Sequence, residues 1–367
     1  MSVPVAQLLI NGEAVPAIGA ATYDIPSPAT GDIIGRAPDA SAEDVDRAVA
    51  SAKVAFQEWS AKTAWEREKI IRKSTAFAKN KAEEIGRLMA LEQGKPLKQS
   101  VGEVTSSCEL IDYYAAEGVR IEGTINPTEK SNFRSWVVHQ PVGVCAAITP
   151  WNYPVALLAW KLGPALAVGC TVVVKPTPVT PLCATAFCHA LTEGGIPPGV
   201  INVITGLDAQ LGETLVRHPN VAKVAMTGST EVGKRILESC APDLKRVSLE
   251  LGGHCPAVVC EDADLDLAAK VIAYKGFRNC GQSCSSVNRV YVHSSIHDAF
   301  VEKLKTAAEA MTMGDGISDP VVDNGPMCTP EALAQVITHV ADAIEKGASL
   351  VCGGKAPDGK EYSKGNY

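Results

Sequence analysis

The sequence predicts an α/β protein built around a parallel β-sheet. From residue 141 onward, short apolar runs alternate with stretches of helical periodicity, which is the pattern of a parallel sheet with helices on both faces. A similar alternation follows residue 252 and predicts a second, smaller α/β unit. The chain has 367 residues, which is enough for two or three domains.

The region before residue 120 is predicted to be mainly helical. Three helices fit its apolar spacing, at residues 41–59, 64–91 and 100–117. Ser41, followed by two acidic residues, is a start signal for the first helix. Residues 120–140 then alternate like strands around a turn at Asn126-Pro127, which predicts a hairpin that projects from the main body.

The main sheet is predicted to have five strands. They fall at residues 142–148, 171–175, 200–205, 221–226 and 246–251, with helices at 155–167, 182–192, 209–217 and 231–240. The second unit is predicted to have strands at 255–260, 287–293 and 349–352, and helices at 263–277, 297–311 and 331–346. Ligands of such sheets bind at the carboxyl ends of the strands, so the residues that follow each strand are the first candidates for chemistry.

Composition and charge exclude several classes of function. The net charge is −7, whereas nucleic-acid binding requires a basic surface, so no nucleic-acid partner is expected. No apolar run approaches the ~20 residues of a membrane span, and the start of the chain lacks a secretory signal pattern. The 12 cysteines are therefore expected to be reduced and mostly buried in a cytoplasmic protein, and their spacing indicates no metal site.

Cys284 and Glu250 are the first candidates for a nucleophile and a base. Cys284 ends the run Gly281-Gln282-Ser283-Cys284, and Glu250 lies between two leucines on an apolar strand. A carboxylate in apolar surroundings is expected to bind a proton more tightly than usual, which suits a general base. The alternatives are a buried inert thiol and a surface carboxylate.

Three strand-to-helix turns offer further candidates. The turn at Thr227-Gly228-Ser229 could bring a phosphate to a helix N-terminus, or it could be only a structural turn. A nucleotide triphosphatase is disfavoured, because Arg235 stands where that class needs a residue with a hydroxyl group. Asn152 follows a strand between two prolines and could donate a hydrogen bond to an oxyanion, or belong to a rigid structural turn. Lys175 ends an apolar strand and could contact a ribose or phosphate, or lie along the surface.

Taken together, these motifs resemble the aldehyde dehydrogenase family, from about residue 8 to the last residue. They occur in the family's order, as Thr149-Pro150-Trp151-Asn152, Lys175-Pro176, Thr227-Gly228-Ser229-Thr230-Glu231-Val232-Gly233, Leu249-Glu250-Leu251-Gly252-Gly253 and Gly281-Gln282-Ser283-Cys284. The resemblance implies a Rossmann-like NAD(P)-binding domain of residues 1–118 and 141–251. It also implies an oligomerisation hairpin at 119–140 and a catalytic domain at 252–367.

The resemblance also implies roles for individual residues. Cys284 would be the nucleophile that forms a thioester, Asn152 the oxyanion donor and Glu250 the base that activates water. Lys161 would support the active site from the helix after Asn152. The cofactor NAD or NADP would contact a further set of residues: Thr149, Pro150, Trp151, Lys175, Gly212, Gly228, Ser229, Val232, Gly233 and Leu251.

One departure from the family pattern concerns the choice of cofactor. Two residues after Lys175-Pro176, where the family often has a glutamate that binds both ribose hydroxyls, this chain has Pro178. A carboxylate at that position would repel the phosphate of NADP. Its absence makes NADP easier to accommodate, and both cofactors stay open.

The expected substrate is a semialdehyde, such as succinate semialdehyde, or another small aldehyde, and the sequence most resembles the succinate-semialdehyde dehydrogenase branch. Arg278 matches an arginine that binds the distal carboxylate in that branch, although a structural salt bridge is an equal alternative. Trp160 occupies the position of that branch's second arginine and is more typical of branches with neutral or cationic substrates. Cys280 lies four residues before Cys284, and if the segment is helical the two thiols share a face and could form a protective disulfide.

Members of the family continue beyond the equivalent of residue 367, and full-length relatives are expected to form homodimers or homotetramers. We therefore expect an incomplete catalytic domain with exposed strand edges. Two hypotheses follow for the chain: an enzyme that oxidises an aldehyde, or a catalytically defective remnant that retains cofactor binding. A nucleotidase that uses the turn at Gly228 is a third.

Overall fold

A seven-stranded sheet lies at the centre of the computed structural model, which describes residues 5–319 and 321–367. The strands of the protein are β1 (Leu8–Ile10), β2 (Glu13–Val15), β3 (Thr22–Pro26), β4 (Ile33–Pro38), β5 (Thr124–Asn126), β6 (Ser135–Val137), β7 (Val144–Thr149), β8 (Thr171–Pro176), β9 (Ile201–Val203), β10 (Val221–Gly228), β11 (Arg246–Leu251), β12 (Cys255–Val259) and β13 (Val287–Val292). The helices are α1 (Ala42–Ala61), α2 (Ala64–Asn80), α3 (Ala82–Gln93), α4 (Leu97–Gly118), α5 (Ala156–Ala167), α6 (Pro181–Gly194), α7 (Ala209–Arg217), α8 (Thr230–Cys240), α9 (Leu265–Phe277), α10 (His297–Glu309) and α11 (Pro330–Glu345).

The order of strands in the sheet is β11-β10-β7-β8-β9-β1-β2. The five strands predicted from the sequence are present and run parallel, which confirms the predicted α/β fold class. Strands β1 and β2 were not predicted; they extend the sheet beyond β9 in antiparallel orientation. Because the five central strands are parallel, their carboxyl ends lie along one edge of the sheet.

Both faces of the sheet are covered, as the apolar strands predict. Along β8, Val172 and Val174 belong to a core that also contains residues of α2, α3, α4, α5 and α6, whereas Val173 faces the other core with residues of α1, α7 and α8. All three valines are at most 1% exposed. Alternate residues of a strand point to opposite faces, so a continuous valine run is what a sheet buried on both sides requires.

The predicted helix at 64–91 is wrong as a single element. The structure has two helices there, α2 and α3, and they are separated by Lys81. The backbone of Lys81 leaves the helical region (φ −96°, ψ 10°), which interrupts the ladder of main-chain hydrogen bonds. The start of α1 is confirmed, because Ser41 caps it in a capping box with Asp44.

A second unit contains β12 and β13, which form a parallel two-stranded sheet. Its small core includes Val259 and Phe300, which are 3% and 1% exposed. None of the residues of α11 is buried. The strand predicted at 349–352 is wrong: these residues are not in a strand, because they pair with none of the described sheets.

The predicted projecting hairpin is present. It consists of the antiparallel strands β5 and β6, in which Ile125 pairs with Trp136. Both of these side chains are more than 70% exposed. Within the described parts of the chain, no helix combines the length and apolar character needed to cross a bilayer.

Candidate active site

The predicted cofactor residues meet at the carboxyl edge of the main sheet. In the strand register, Lys175 of β8 pairs with Ile148 of β7, and Gly228 of β10 pairs with Leu251 of β11. Thr149 ends β7 and is followed directly by Pro150 and Trp151. The structure therefore brings together residues that lie on four different strands and up to about 100 positions apart in the sequence.

Helix α8 begins at this edge. Ser229 is its N-cap, and the Ser229 hydroxyl accepts a hydrogen bond from the main-chain N–H of Val232 at 3.3 Å. A Cβ atom on Gly233 would lie 2.7 Å from Leu251 Cδ2, so glycine lets this helix pack closely against β11. Arg235 pairs with Glu231 along the exposed side of the same helix.

Lys175 is buried, so the alternative of a lysine lying along the surface is wrong. It is 7% exposed, and burial lowers the pKa of its ammonium group, while Asp208 and Asp39 oppose that change. A Cβ atom on Gly212 would lie 3.6 Å from Lys175 Cδ, which places α7 beside the lysine side chain. A buried cation at the strand ends is suited to hold a polar or anionic ligand.

The Thr149 hydroxyl is also buried at this edge and makes no hydrogen bond to the described residues. Buried hydroxyls without a partner are uncommon in folded proteins. Together with Lys175 and the N-terminus of α8, it forms a group of donors that fits the sugar and phosphates of a dinucleotide.

Cys284 lies in an exposed segment between α9 and β13. Its thiol makes no hydrogen bond to any residue that the structure describes, while its carbonyl oxygen accepts one from the Cys255 thiol at 3.2 Å. The alternative of a buried inert thiol is therefore wrong. Cys255 follows β11 closely, so this contact links the strand of Glu250 to the segment of Cys284.

The segment before Cys284 is not an α-helix, so the shared helical face predicted for Cys280 and Cys284 is wrong. Asn279 and Cys280 have left-handed backbones, with φ values of 54° and 57°. The Cys280 thiol donates to the carbonyl oxygen of Gly325 at 3.0 Å, and burial raises its pKa to about 12. Cys280 is therefore engaged with the loop at Gly325.

Asn152 contacts the segment of Cys284. Its side-chain Nδ2 donates to the carbonyl oxygen of Gln282 at 3.1 Å. Its own carbonyl oxygen accepts hydrogen bonds from Lys95 Nζ and Asn279 Nδ2, each at 3.0 Å. Sequence reasoning missed Lys95: it lies between two helices and follows a glycine, and no local pattern marks it as buried.

A cavity of about 1030 Å³ lies beside the main sheet, and its lining includes Trp160, Lys161 and Glu250. Lys161 is buried, its Nζ donates to the Thr227 hydroxyl at 2.5 Å, and burial lowers its pKa to about 8 while Glu250 opposes the change. Trp160 packs edge-on against Tyr114, with ring centroids 6.0 Å apart.

The predicted apolar surroundings of Glu250 are wrong. Its side chain is exposed, whereas Leu249 and Leu251 pack against the core on the other face of the sheet. The alternation of side chains along a strand explains the difference, because neighbours in sequence point to opposite faces. The structure therefore brings Glu250 together with Lys161, and Asn152 together with the segment of Cys284.

Arg278 lies near two aromatic rings. Its guanidinium carbon is 5.8 Å from the ring centroids of both Tyr153 and Tyr274. Among residues 5–319 and 321–367, no carboxylate forms a salt bridge with Arg278, so the alternative of a structural salt bridge finds no partner there. The guanidinium is thus available to an anionic ligand.

The cysteines are all free, and seven of the twelve are buried. Within the described residues, no group of three or more His, Cys, Asp or Glu side chains is arranged to hold a metal ion.

Comparison with known proteins gives consistent matches along the chain. The model of the aldehyde dehydrogenase family matches residues 16–367. The NADP(+) succinate-semialdehyde dehydrogenase of Escherichia coli is 45% identical over 350 residues, which cover 95% of this chain and 72% of the relative. The glutarate-semialdehyde dehydrogenase of Pseudomonas aeruginosa is 42% identical over 349 residues, again covering 95% of this chain and 72% of the relative.

A solved structure, that of PnpE in complex with nicotinamide adenine dinucleotide, superimposes with a TM-score of 0.95. It is 39% identical, and the match covers 98% of this chain and 74% of the other.

Proposed function

Because this chain belongs to the aldehyde dehydrogenase family, we propose that it oxidises a small aldehyde bearing an anionic group to the carboxylic acid, with NAD or NADP as cofactor. Succinate semialdehyde is the first candidate, because several relatives are named as succinate-semialdehyde dehydrogenases. The observation that carries the proposal is the contact between Asn152 and the segment that presents the exposed thiol of Cys284.

The first step joins the substrate to the chain. The sulfur of Cys284, as thiolate, attacks the aldehyde carbon, and the carbonyl electron pair moves onto oxygen to give a thiohemiacetal anion. Asn152 Nδ2 and the main-chain N–H of Cys284 would stabilise that oxyanion. The Asn152 amide nitrogen carries two N–H donors, so one can stay on the carbonyl oxygen of Gln282 while the other meets the oxyanion.

The second step releases the acid. Bound NAD or NADP would supply the acceptor for the hydride, and the acyl group left on Cys284 is a thioester. Glu250 then removes a proton from water, the water oxygen bonds to the acyl carbon, and the carbon–sulfur bond breaks to return the thiolate. Glu250 has access to solvent for this role, because its side chain is exposed on β11.

The cofactor would be held by the carboxyl edge of the main sheet. Lys175 and the Thr149 hydroxyl would contact the sugar, and Ser229 with the start of α8 would receive the phosphates. The remaining predicted contacts lie on the same edge or beside it: Pro150, Trp151, Gly212, Gly228, Val232, Gly233 and Leu251. The Escherichia coli relative is named for NADP(+) and the PnpE structure holds NAD, so both cofactors are compatible with the comparisons.

Arg278 is proposed to bind the distal anionic group of the substrate. A planar guanidinium can hold a carboxylate with two parallel hydrogen bonds. The nearby rings of Tyr153 and Tyr274 would help to keep the guanidinium in place. Two relatives are named for substrates that carry a carboxylate, succinate semialdehyde and glutarate semialdehyde, which supports this role.

The hairpin of β5 and β6 is proposed to join copies of the chain. Ile125, Trp136 and Val138 are each more than 70% exposed on it. Large apolar side chains grouped on a projecting element are typical of an association surface. A homodimer or homotetramer is the assembly we propose.

The direct test measures formation of reduced cofactor from succinate semialdehyde with NAD or NADP. Turnover by the wild-type chain, its loss in Cys284→Ser, and its retention in Cys260→Ser would support the proposal, since Cys260 is also exposed but lies at the end of β12. Cofactor binding without reduction would instead identify a catalytically defective remnant. Magnesium-dependent phosphate release from a nucleotide would indicate the nucleotidase.

A further inference from the structure

Lys95 is a buried cation, and each of the three N–H donors of its ammonium group has an acceptor. Its ammonium nitrogen lies 2.5 Å from Glu103 Oε2, 3.0 Å from the carbonyl oxygen of Asn152 and 3.9 Å from the centroid of the Tyr153 ring. An ammonium group has three N–H donors, and three acceptors surround this one. The side chain is 1% exposed, so water does not compete for these positions.

Glu103 connects the same cation to the helix that follows Asn152. Its other carboxylate oxygen, Oε1, accepts hydrogen bonds from the main-chain N–H groups of Val155 and Ala156, at 3.1 and 3.0 Å. These groups open α5 and have no partner within the helix. The pair of Lys95 and Glu103 therefore holds both ends of the short segment 152–156.

Asn279 extends this contact to the segment of Cys284. Asn279 Nδ2 donates to the same Asn152 carbonyl oxygen as Lys95, while its Oδ1 accepts from Gln93 Nε2 at 3.0 Å. The Oε1 atom of Gln93 in turn accepts from the main-chain N–H of Lys95 at 2.9 Å. One continuous network thus joins the α3–α4 connection to both loops of the proposed active site.

A buried ion pair is a poor device for stability alone, because taking both charges out of water costs several kcal/mol. The network instead fixes the main chain of one residue, Asn152, from two directions. Its side chain extends from that fixed main chain toward the Cys284 segment. A main-chain shift of about 1 Å is enough to cost roughly 100-fold in rate at an active site.

We propose that Lys95 is a positioning residue for aldehyde oxidation, which holds the main chain of Asn152 so that the Asn152 amide meets the oxyanion formed at Cys284. Lys95 itself touches neither the substrate nor the cofactor. The inference rests on the proposed function, because it assigns Lys95 a part in that reaction.

The test compares Lys95→Met with Lys98→Met, which removes an exposed charge three residues away. For Lys95→Met we expect kcat to fall by about 100-fold, with the KM values for aldehyde and cofactor changed less than threefold or so. Lys98→Met should match the wild type in all three constants. A fall in kcat that is matched by a rise in both KM values would indicate general damage to the fold and overturn the proposal.

A double-mutant cycle separates positioning from other effects. If Lys95 acts through Asn152, adding Lys95→Met to Asn152→Ala should cost no further kcat, because the amide to be positioned is already absent. Independent, multiplicative losses would overturn the proposal. Should Lys95→Met fail to fold, Asn279→Gly removes the second donor to Asn152 and tolerates the left-handed backbone, and the same non-additivity is expected.

Hydrogen–deuterium exchange gives a measurement that does not depend on turnover. In Lys95→Met, peptides that span residues 150–157 should exchange faster than in the wild type, whereas peptides of α1 should not change. Unchanged exchange at 150–157 would overturn the proposal. An inactive wild type would overturn the proposed function, and the exchange result would still decide whether Lys95 holds Asn152 in place.

Discussion

The side-chain amide of Asn152 donates to the carbonyl oxygen of Gln282 at 3.1 Å, across 130 positions of sequence. One of these residues follows the first parallel strand of the main sheet, and the other lies two residues before Cys284. The hydrogen bond therefore spans the two parts of the chain that the proposed reaction needs, and it gives the oxyanion donor a defined position before substrate arrives.

Asn152→Ala removes the side-chain oxyanion donor and should lower kcat by about 10²–10³-fold. The KM for the cofactor should not change, because the carboxyl edge of the sheet keeps its other contacts. Steady-state kinetics with succinate semialdehyde check this, with Asn288→Ala on the exposed side of β13 as the matched control. A variant with unchanged kcat would exclude Asn152 from the oxyanion site.

Arg278→Met should weaken binding of an anionic substrate and leave a neutral one unaffected. Losing a charge-assisted bidentate pair costs roughly 1.5–3 kcal/mol, so we expect kcat/KM for succinate semialdehyde to fall by about 10–100-fold. Butanal, which has the same chain length without the carboxylate, serves as the neutral comparison. Arg289→Met, which removes an exposed arginine from β13, should leave both substrates unchanged. Equal losses for the two aldehydes would remove the role proposed for Arg278.

Pro178→Glu should shift the preference from NADP toward NAD. Position 178 follows β8 two residues after Pro176. The family resemblance implies that a carboxylate there binds the ribose hydroxyls and would repel the extra phosphate of NADP. Like charges a few ångströms apart near a surface repel by roughly 1–4 kcal/mol, so the KM for NADP should rise by about tenfold or more. Pro178→Gln introduces a side chain of the same size without the charge. If Pro178→Gln produced the same shift, loss of the proline and not repulsion would be its cause.

Glu92 should make the stability of the protein depend on pH. It is buried, and burial raises its pKa to about 7 from 4.5, although it accepts main-chain hydrogen bonds from Leu182 and Cys183 at the start of α6. A carboxyl whose pKa is higher in the folded state favours folding while protonated. Glu92 therefore makes its full contribution to the free energy of unfolding below pH 4.5. The contribution decreases as the pH rises and is lost above about pH 7.

Replacing Glu92 by glutamine removes this titration. Between about pH 4.5 and 7 the wild type should lose roughly 3 kcal/mol of unfolding free energy relative to Glu92→Gln. Urea unfolding of both proteins at the two ends of that range measures the difference, and Glu43→Gln at the exposed start of α1 is the control. Parallel curves for Glu92→Gln and wild type would show that Glu92 keeps one protonation state throughout.

The main sheet could be predicted because its strands carry their own signal. The valines of β8 and the helical stretches on either side of it are local patterns, and burial on both faces follows from them. Strands β1 and β2 carry no such signal. Each has three residues, and β1 becomes a strand only through partners such as Val203, which lies far along the chain.

The candidate site, like the fold, could be predicted in part from the sequence. Asn152, Lys175 and Cys284 stand in motifs that can be read without a structure. The exposure of Glu250 does not follow from its neighbours in sequence, because two flanking leucines suggest an apolar site, whereas strand alternation turns them away from the carboxylate. Lys95 could not be found from the sequence, since its importance arises from Glu103 and Asn152, which belong to other elements.

The antiparallel attachment of β1 has a consequence for the synthesis of the protein. The main-chain N–H of Asn11, just after β1, bonds to the side chain of Asn202, 191 residues later. At a translation rate of about 5–20 residues per second, roughly 10–40 seconds pass between the synthesis of β1 and that of its partner strand β9. During that interval Leu8 and Leu9, which are fully buried in the finished fold, have no sheet to pack on. Until the partner strand is made, a chaperone that recognises short apolar stretches would have time to bind this segment of the nascent chain.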